Sequence, residues 1–422
     1  MNVLVIGSGG REHAICYSFS KSTRVIKLFC APGNAGISSI AECVPIKAED
    51  VSELAEFASA NSIDLTFVGG ETSLALGIVD EFERRELKIV GPTRAAALLE
   101  ASKSFAKDFM ERHHVPTAHF RTASSAGDAI EILESGYFGD EKEPAVVKAD
   151  GLAAGKGVVV ARDRVEATDA VKAMADLVGA DAAASIVLEE CLIGREVSLL
   201  AFCDGEHFAL LPATRDHKRI GEGDTGPNTG GMGTITDASL LTDAQTAEIV
   251  ATVIQPTLKG CKDEGFSFRG ILFLGLMMTN TGPKVLEYNV RFGDPETQSI
   301  LVRLETDFVD ICEAMLSGTL DKLDIRWHQG SSATVVLAAK GYPQSPEKGD
   351  LISGVEEASN VDGVTIFHAG TGMAEGNYVT AGGRVLGVTA VSDDLKAALR
   401  SAYSAVHKIS WKGMQYRRDI GV

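Results

Sequence analysis

The sequence has no apolar run long enough to cross a membrane. The strongest run covers residues 271–278, whereas a spanning helix needs roughly 20 apolar residues. The apolar run at 3–6 is likewise shorter than the apolar core of a signal peptide. We therefore expect a protein of the cytoplasm that does not bind membranes.

Positive charge and cysteine are also scarce. The chain of 422 residues carries 40 Lys and Arg against 58 Asp and Glu, a formal charge of -18, which opposes binding to nucleic acid. Its 7 cysteines are odd in number, scattered, and form no CxxC pair, so we expect reduced thiols rather than a disulfide framework or a zinc site. A globular protein of this length normally divides into about two to four domains.

The first hundred residues alternate apolar runs with amphipathic segments. The runs at 3–6, 25–29, 64–68 and 87–90 read as strands, and the segments between them read as helices. Strands of this kind form a parallel sheet covered on both faces. Glycine-rich turns after the strands then lie at the carboxyl edge, where such sheets bind ligands.

The rest of the chain predicts three further units of α+β character. Residues 1–103 form the N-terminal α/β domain, 104–122 with 192–329 a central domain, 123–191 a unit small enough to move as a lid, and 330–422 a C-terminal domain. Helices are expected at 126–134, 165–177, 243–259 and 393–407. Strands are expected at 145–149, 157–161, 185–190, 270–278, 283–289, 332–339, 363–368 and 384–391.

A glycine-rich turn follows a lysine in the segment KADGLAAGKGV at 148–158. Glycines allow backbone N–H groups to approach phosphate oxygens, and Lys148 and Lys156 supply positive charge, which suits a polyphosphate. A surface hairpin with a mobile tip is the alternative interpretation.

The next strand ends in Glu189 and Glu190, with Glu196 beyond it. Such a strand end can offer backbone groups to an adenine and a carboxylate to a ribose, although most surface glutamates do neither.

Period-2 alternation places Glu287, Asn289 and Arg291 on one face of a strand. Two hard oxygen ligands beside a guanidinium indicate a Mg²⁺ site next to an anion site. The alternative is a solvated strand face with an ordinary ion pair.

These three elements, in this order, resemble the ATP-grasp superfamily, in which two α+β lobes clamp ATP. The closer resemblance is to its phosphoribosylamine–glycine ligase (glycinamide ribonucleotide synthetase) family, and it runs from end to end. It is carried by GSGGREHA at 7–14, APGNAG at 31–36, GPTRAAALLEASKSFAK at 91–107, KADGLAAGKGV at 148–158, DHKRIGEGDTGPNTGGMG at 216–233, RFGDPETQ at 291–298 and YRRDIG at 416–421.

The resemblance implies a set of site residues. It assigns to ATP Lys107, Lys148, Gly151, Gly155, Lys156, Gly157, Glu189, Leu192 and Glu196. It assigns Glu287 and Asn289 to Mg²⁺ or Mn²⁺. The catalytic group that holds the glycine carboxylate and the transferred phosphoryl consists of Arg291, Asp216 and Lys218. Substrate binding falls to Gly9, Gly10, Arg11, Gly70, Glu71, Asp224, Asn228 and Asp294, with the turns at 9–11 and 69–71 receiving the phosphosugar.

The same resemblance implies ATP-dependent ligation of glycine to 5-phosphoribosylamine in de novo purine biosynthesis. The products are glycinamide ribonucleotide, ADP and phosphate, formed through a glycyl phosphate. Because a carboxylate would have to expel oxide, its phosphorylation by ATP supplies a workable leaving group. A neutral amine needs no base before attack, so neither His13 nor His217 is assigned as one. We expect a monomer that acts on small molecules.

Three alternatives stay open at this point. Another ATP-grasp carboxylate–amine ligase shares the ATP lobes. A dinucleotide-dependent oxidoreductase fits the glycine turn after the first strand, but residues 27–31 lack the acidic residue expected after the next strand. A nucleotide sensor without catalysis needs the ATP lobes but not the loops at 221–233 and 291–298.

Overall fold

The computed structural model describes residues 1–152, 157–180 and 182–422. Within these ranges, no helix combines the length and the apolar character that a membrane crossing requires.

The N-terminal unit is a parallel five-stranded sheet with helices on both faces. Its elements are β1 (Asn2–Gly7), α1 (Gly10–Ser20), β2 (Lys27–Pro32), β3 (Glu42–Cys43), α2 (Val51–Ala60), β4 (Leu65–Val68), α3 (Glu71–Ala75), α4 (Ile78–Arg84), β5 (Ile89–Val90) and α5 (Arg94–Ala101). The strand order is β3-β2-β1-β4-β5. Val3 and Val5 face the core shared with α1, whereas Leu4 and Ile6 face the core shared with α2 and α4. Burial on both faces explains why these strands are continuously apolar.

Helix α6 (Lys103–Arg112) leads into the lid, a four-stranded antiparallel sheet with two helices. The lid contains β6 (Phe120–Ala123), α7 (Ala126–Glu134), β7 (Ala145–Ala149), β8 (Val158–Ala161), α8 (Arg164–Val178) and β9 (Ile186–Glu190). The strand order is β6-β9-β7-β8. Val147 and Leu188 from the sheet pack with Met174 of α8 in a small core of the lid's own.

The central unit begins a large antiparallel sheet. Its elements are β10 (Arg195–Asp204), β11 (Phe208–Leu210), β12 (Thr214–Asp216), β13 (Arg219–Gly221), β14 (Thr225–Asn228), β15 (Gly233–Thr236), α9 (Asp243–Ile249), α10 (Gln255–Asp263), β16 (Arg269–Thr279), β17 (Gly282–Asn289), α11 (Glu296–Leu301) and α12 (Phe308–Ser317). Strand β17 carries a bulge at Leu286, because Gly275 and Leu276 of β16 pair with Glu287 and Val285.

The C-terminal unit extends this sheet instead of forming a separate one. It comprises β18 (Ser331–Ala338), α13 (Val355–Ser359), β19 (Val364–His368), β20 (Thr371–Ala374), β21 (Asn377–Thr380), β22 (Arg384–Ser392) and α14 (Leu395–Val406). The order β17-β16-β10-β12-β15-β18-β22-β19, with β11 on β10, gives nine strands. The junction between β15 and β18 is antiparallel and joins Gly233–Val335 through Thr236–Ser332.

The last residues of the chain hold the β13–β14 hairpin in place. The buried guanidinium of Arg417 lies 2.6 Å from Asp224 Oδ1 and 2.7 Å from Asp419 Oδ2, and it donates to the carbonyl of Arg219. Gly223 N–H in turn donates to Asp419. The hairpin therefore depends on the C-terminal segment for its position.

The predicted fold class is confirmed: a parallel-sheet N-terminal domain, two α+β lobes and a C-terminal α+β domain. The helix predicted at 243–259 is interrupted by a π-helical turn at Val250–Ile254 between α9 and α10. The predicted lid boundary at 123 falls at the end of β6, whose remaining residues pair with β9. The four-domain division itself stays a prediction.

Four phenylalanines join the N-terminal and central units. The ring of Phe292, which follows β17, lies 5.8 Å from Phe67 of β4, 6.2 Å from Phe202 of β10 and 6.3 Å from Phe308 of α12. Phe292 is fully buried. Aromatic pairs at these separations add to the stability gained from burial alone.

We expect Phe292→Ala to lower the free energy of unfolding by about 3–5 kcal/mol, because it leaves a cavity between two units. Urea denaturation followed by fluorescence measures this, since Trp327 stacks on Phe202. The control is Tyr137→Ala, whose side chain is 42% exposed in the lid, with an expected loss below about 1 kcal/mol. Equal losses in the two variants would contradict the joining role of the cluster.

Candidate active site

Two lysines and a glutamate form a buried ion triad between the lid and α6. Glu189 Oε1 lies 2.7 Å from Lys148 Nζ of β7, and Glu189 Oε2 lies 3.1 Å from Lys107 Nζ of α6. All three residues are at most 5% exposed. Burial lowers the pKa of Lys107 to about 8, although Glu189 opposes the shift. One carboxylate thus holds two ammonium groups, and the triad keeps a net positive charge.

The triad limits what Glu189 can offer to a ligand. Its side chain lies against the two lysines, and its main chain is paired with Phe120 of β6 and Val146 of β7, so a base would meet the residues just after it. The next residues have free main-chain groups: within the described chain, no main-chain hydrogen bond involves Cys191 or Leu192. Glu190 fixes this stretch by accepting from His119 N–H and pairing with Lys284 Nζ at 3.1 Å. Predicted Leu192 therefore lies where a base edge can be recognised.

Lysines also surround Glu287, the predicted metal ligand on β17. Burial by itself would raise the pKa of Glu287, but the charges of Lys218, Lys148 and Lys103 lower it below the ordinary value. Lys148 Nζ donates to the carbonyl of the bulge residue Leu286, which orients its ammonium group. More positive than negative charge surrounds Glu287, as expected for a site that receives a polyphosphate.

Glu287 and Asn289 lie on one face of β17, in agreement with the predicted alternation. Arg291 was predicted on the same strand face, but β17 ends at Asn289 and Arg291 lies in the segment that follows it. Among the described residues, no group of three or more His, Cys, Asp or Glu side chains could hold a metal ion. A carboxylate and an amide oxygen suit Mg²⁺ or Mn²⁺, which commonly takes its remaining ligands from phosphate and water. The residues present therefore fit a metal that arrives with a nucleotide.

Arg291 lies in a chain of ion pairs that reaches the N-terminal unit. Its guanidinium lies 2.7 Å from Glu100 Oε1 and 3.1 Å from Glu71 Oε2, while Arg11 lies 3.8 Å from Glu71. Burial would raise the pKa of Glu71, but Arg291 and Arg11 lower it to about 2. Burial raises the pKa of Glu100 to about 7 despite Arg291. Glu100 also accepts from Val290 N–H at 2.8 Å, so it holds both the Arg291 side chain and the main chain just before it.

Glu12 shapes the glycine turn after β1. Its carboxylate accepts from Gly9 N–H at 2.6 Å and pairs with Arg11 at 2.6 Å, in the manner of a capping box. A Cβ atom on Gly7 would lie 2.5 Å from Glu12 Cγ, and Gly7 has φ +132°. This close approach requires glycine beside Glu12. The predicted phosphosugar residues at 9–11 and 70–71 meet here, at the carboxyl edge of the parallel sheet.

The C-terminal unit contributes Arg384 to the same region. Its guanidinium lies 3.1 Å from Asp294 Oδ2 and donates to the Asp294 carbonyl at 2.6 Å. A Cβ atom on Gly9 would lie 3.3 Å from the same Asp294 oxygen. Asp294, a predicted substrate residue, is thus held next to the glycine turn by a residue 90 positions further along the chain.

Strand β12 and the hairpin beyond it carry the remaining predicted residues. Asp216 ends β12, and Lys218 lies 3.4 Å from Glu196 Oε2. Burial and Glu296 raise the pKa of Asp216. Asp224 is bound by Arg417, and Asn228 pairs with Arg219 across the hairpin, so these two lie beside the C-terminal segment.

The two histidines considered as bases have structural partners. His13 Nδ1 accepts from His368 N–H at 2.8 Å, and His217 Nε2 accepts from Gly421 N–H at 3.1 Å. Burial lowers the pKa of His13 to about 3 and that of His217 to about 4. Both rings are neutral acceptors that join the C-terminal unit to the rest of the protein.

The lid turn is described only at its ends. Gly151 N–H donates to Ala182 O at 3.3 Å, and Gly157 O accepts from Ala149 N–H at 2.8 Å. Asp150 accepts from Ser104 N–H at 2.7 Å and so attaches the lid to the first turn of α6. The predicted ATP ligands Gly155 and Lys156 lie outside the described residues.

Sequence reasoning missed four residues of the site: Glu12, Glu100, Lys103 and Arg384. The first three stand inside the quoted motifs GSGGREHA and GPTRAAALLEASKSFAK, so attention to every charged residue of those motifs would have found them. Arg384 follows a glycine pair at 382–383, which gives no comparable signal.

The chain matches three domain families in succession. Residues 1–100 match the phosphoribosylglycinamide synthetase N domain, 101–297 its ATP-grasp (A) domain and 332–422 its C domain. It is 46% identical over 421 residues to the phosphoribosylamine–glycine ligase of Caldanaerobacter subterraneus subsp. tengcongensis, covering 100% of this chain and 99% of that one. It is 47% identical over 425 residues to the enzyme of the same name from Pseudomonas aeruginosa, covering 100% and 97%.

Solved structures show the same relationship. The crystal structure of phosphoribosylamine–glycine ligase from Thermotoga maritima superposes with a TM-score of 0.86 at 34% identity and covers 100% of both chains. The biotin carboxylase domain of Hydrogenobacter thermophilus 2-oxoglutarate carboxylase, solved with MgADP, ADP and bicarbonate, has a TM-score of 0.73 at 16% identity and covers 98% of this chain and 91% of that one. The second likeness concerns the fold alone.

We expect Glu189→Gln to destabilise the lid by about 3–5 kcal/mol, because two buried ammonium groups lose their common counter-charge. Hydrogen exchange of the β7 and β9 amides measures this change. Glu190→Gln is the matched control: Glu190 is the next residue, its side chain is 34% exposed, and its loss should stay below about 1 kcal/mol. A change in Glu189→Gln no larger than in the control would argue against the triad.

Proposed function

Since the chain belongs to the phosphoribosylglycinamide synthetase family, we propose that its buried lysines and the β17 carboxylate assemble ATP and glycine for an acyl-phosphate ligation. The protein is an ATP-dependent ligase that joins glycine to phosphoribosylamine in purine biosynthesis. One observation carries the proposed mechanism: the buried Lys148 Nζ lies 2.7 Å from Glu189 Oε1 and donates to Leu286 O, so a fixed positive charge lies beside Glu287 for the phosphoryl charge that develops.

ATP lies between the lid and the central sheet in this proposal. Lys107 and Lys148 bind its phosphates, since Glu189 already fixes their side chains and leaves them an unneutralised charge. Glu189 and Leu192 meet adenine, and Glu196 meets the ribose. The glycine-rich turn, with Gly151, Gly155, Lys156 and Gly157, covers the phosphates.

The enzyme uses ATP together with a divalent metal ion. We propose Mg²⁺ or Mn²⁺ held by Glu287 and Asn289, where it would neutralise phosphate charge and favour phosphoryl transfer. The lysines do the same at fixed positions: Lys148 is held by Glu189 and Leu286 O, and Lys218 by Glu196.

Glycine is phosphorylated before the amine attacks. Its carboxylate oxygen takes the terminal phosphoryl of ATP and releases ADP, while Arg291 and Lys218 stabilise the charge that develops. The amine of phosphoribosylamine then attacks the carbonyl carbon, the C–O bond to phosphate breaks, and one proton leaves the nitrogen. The lid excludes water from the acyl phosphate, and the bond from Asp150 to Ser104 holds it against α6.

The phosphosugar binds at the carboxyl edge of the parallel sheet. Gly9, Gly10, Arg11, Gly70 and Glu71 line this edge, and Asp294 reaches it with the support of Arg384. Arg11 and Arg291 share Glu71, so the sugar site and the phosphoryl site are joined by one carboxylate. Asp224 and Asn228 take part through the β13–β14 hairpin.

The remaining features of the proposal concern the setting of the enzyme. We propose that it acts as a monomer in the cytoplasm and uses no nucleic acid or membrane partner, in keeping with its charge of -18. We also retain the division into 1–103, 104–122 with 192–329, 123–191 and 330–422.

Isotope transfer tests the order of bond formation. ADP release should require both glycine and phosphoribosylamine for complete turnover. With oxygen-18 in both glycine carboxylate oxygens, one labelled oxygen should appear in each phosphate released, because the bridging oxygen leaves with phosphorus. Mass spectrometry of the phosphate from one turnover decides this point.

Unlabelled phosphate formed alongside the normal amide would contradict the glycyl phosphate. Unlabelled water as solvent and a parallel reaction in oxygen-18 water with unlabelled glycine are the controls. Direct condensation driven by separate hydrolysis of ATP would label phosphate from the solvent instead.

We expect Glu287→Gln to raise the concentration of Mg²⁺ needed for half-maximal rate, because a charged oxygen ligand becomes neutral while the shape is kept. Binding of Mn²⁺ in the presence of ATP, followed by electron paramagnetic resonance, should weaken in parallel. Glu305→Gln, at an exposed position, is the control. Metal titrations that match the control would place the ion elsewhere.

A further inference from the structure

Besides the proposed metal ligand Glu287, two carboxylates of the described site lack an ion-pair partner. Glu71, Glu100, Glu189 and Asp294 each pair with a lysine or arginine. In the described part of the chain, neither Asp216 nor Glu296 has a basic group within ion-pair distance. Glu296 is only 5% exposed and accepts no hydrogen bond from another side chain, and Asp216 Oδ1 is buried without a donor. Buried carboxylates normally have donors, so these two need an explanation.

The backbone holds these two carboxylates close together. Asp216 of β12 pairs with Thr234 of β15, and Thr234 Oγ1 donates to the carbonyl of Pro295, the residue before Glu296. A Cβ atom on Gly231 would lie 2.7 Å from Asp216 Oδ1 and 2.5 Å from Pro295 Cδ. Gly231 has φ +105° and so favours glycine. Because Gly231 has no side chain, nothing at this position separates Asp216 from Pro295 at the start of α11.

Burial raises the pKa of both carboxylates, the charge of Glu296 adds to the shift at Asp216, and the charge of Asp294 adds to the shift at Glu296. Lys218, whose charge opposes the shift at both carboxylates, is itself paired with Glu196 at 3.4 Å. A cationic group placed between Asp216 and Glu296 would relieve the repulsion and satisfy the orphaned oxygen. Such a group should be small, since the site is buried and bordered by backbone.

Glycine carries such a group next to the carboxylate that reacts. With its carboxylate at Lys218 and Arg291, its ammonium group is one carbon away and needs negative charge. We propose that Asp216 and Glu296 bind the ammonium group of glycine and so select an amino acid over other small carboxylates. This inference rests on the proposed function, and it gives Asp216 a role toward the ammonium end of glycine instead of its carboxylate end.

Glycolate is the probe, because it has the carboxylate of glycine but a neutral hydroxyl in place of the ammonium group. The wild-type enzyme should prefer glycine by at least about 100-fold in kcat/KM for ADP release, since buried acceptors would be left unpaired by glycolate. A wild-type preference of less than about threefold would overturn the proposal without any variant.

Glu296→Gln and Asp216→Asn keep the shape of each side chain and remove its charge. Each should raise the KM for glycine about 10-fold or more and lower the preference for glycine over glycolate by a similar factor, with the KM for ATP nearly unchanged. Glu305→Gln is the matched control, since Glu305 is exposed and lies nine residues from Glu296 in the sequence. Thermal denaturation verifies that each variant is folded.

Three results would overturn the ammonium site. They are an unchanged preference for glycine in both folded variants, a rise in the KM for phosphoribosylamine instead of glycine, or an altered Mg²⁺ requirement with normal glycine dependence. If the wild-type enzyme released no ADP with glycine and phosphoribosylamine, the proposed function would fail instead. The two failures are therefore distinguishable in one set of assays.

Discussion

Most of the site depends on positive charge that is buried before any ligand arrives. Glu189 offsets the cost of burying Lys107 and Lys148, because its one carboxylate pairs with both ammonium groups. The pair of lysines still keeps a net positive charge. The lid strands, α6 and the bulge of β17 are fixed by that triad at once. The triad thus holds the lid, α6 and the β17 bulge together at the place where we propose that the nucleotide binds.

Local sequence patterns predicted the features that depend on neighbouring residues in the chain, such as strand faces and helix ends. Alternation along β17 placed Glu287 and Asn289 correctly on one face, and helix α7 begins and ends where its pattern indicates. Long-range packing decided the rest. Glu189 read as a strand-end glutamate at an adenine edge, yet its side chain is buried by α6, and Arg384 enters the site only because β22 belongs to the central sheet. Periodicity carries no information about such distant neighbours.

The buried carboxylates of the site fall into two groups: those that bind groups of the protein itself and those that have no charged partner in the described part of the protein. Glu12 organises a turn of glycines, Glu100 and Glu71 orient arginines, and Glu189 orients lysines. Asp216 and Glu296 have no such duty within the described residues. The distinction rests on partners rather than on burial, because all six carboxylates are wholly or largely withdrawn from solvent. Unsatisfied buried charge is therefore the feature that points to substrate.

The continuous sheet restricts how the chain can be recombined. Strand β18 pairs with β15 along four residues, so the C-terminal unit is joined to the central unit through main-chain pairing and cannot be exchanged as a separate module. A chimaera that takes this unit from a relative would have to inherit the matching β15 edge, together with the hairpin partner of Arg417. Crossover points for grafting or for splitting the protein into two complementing fragments are better sought at the lid, whose sheet and core are its own.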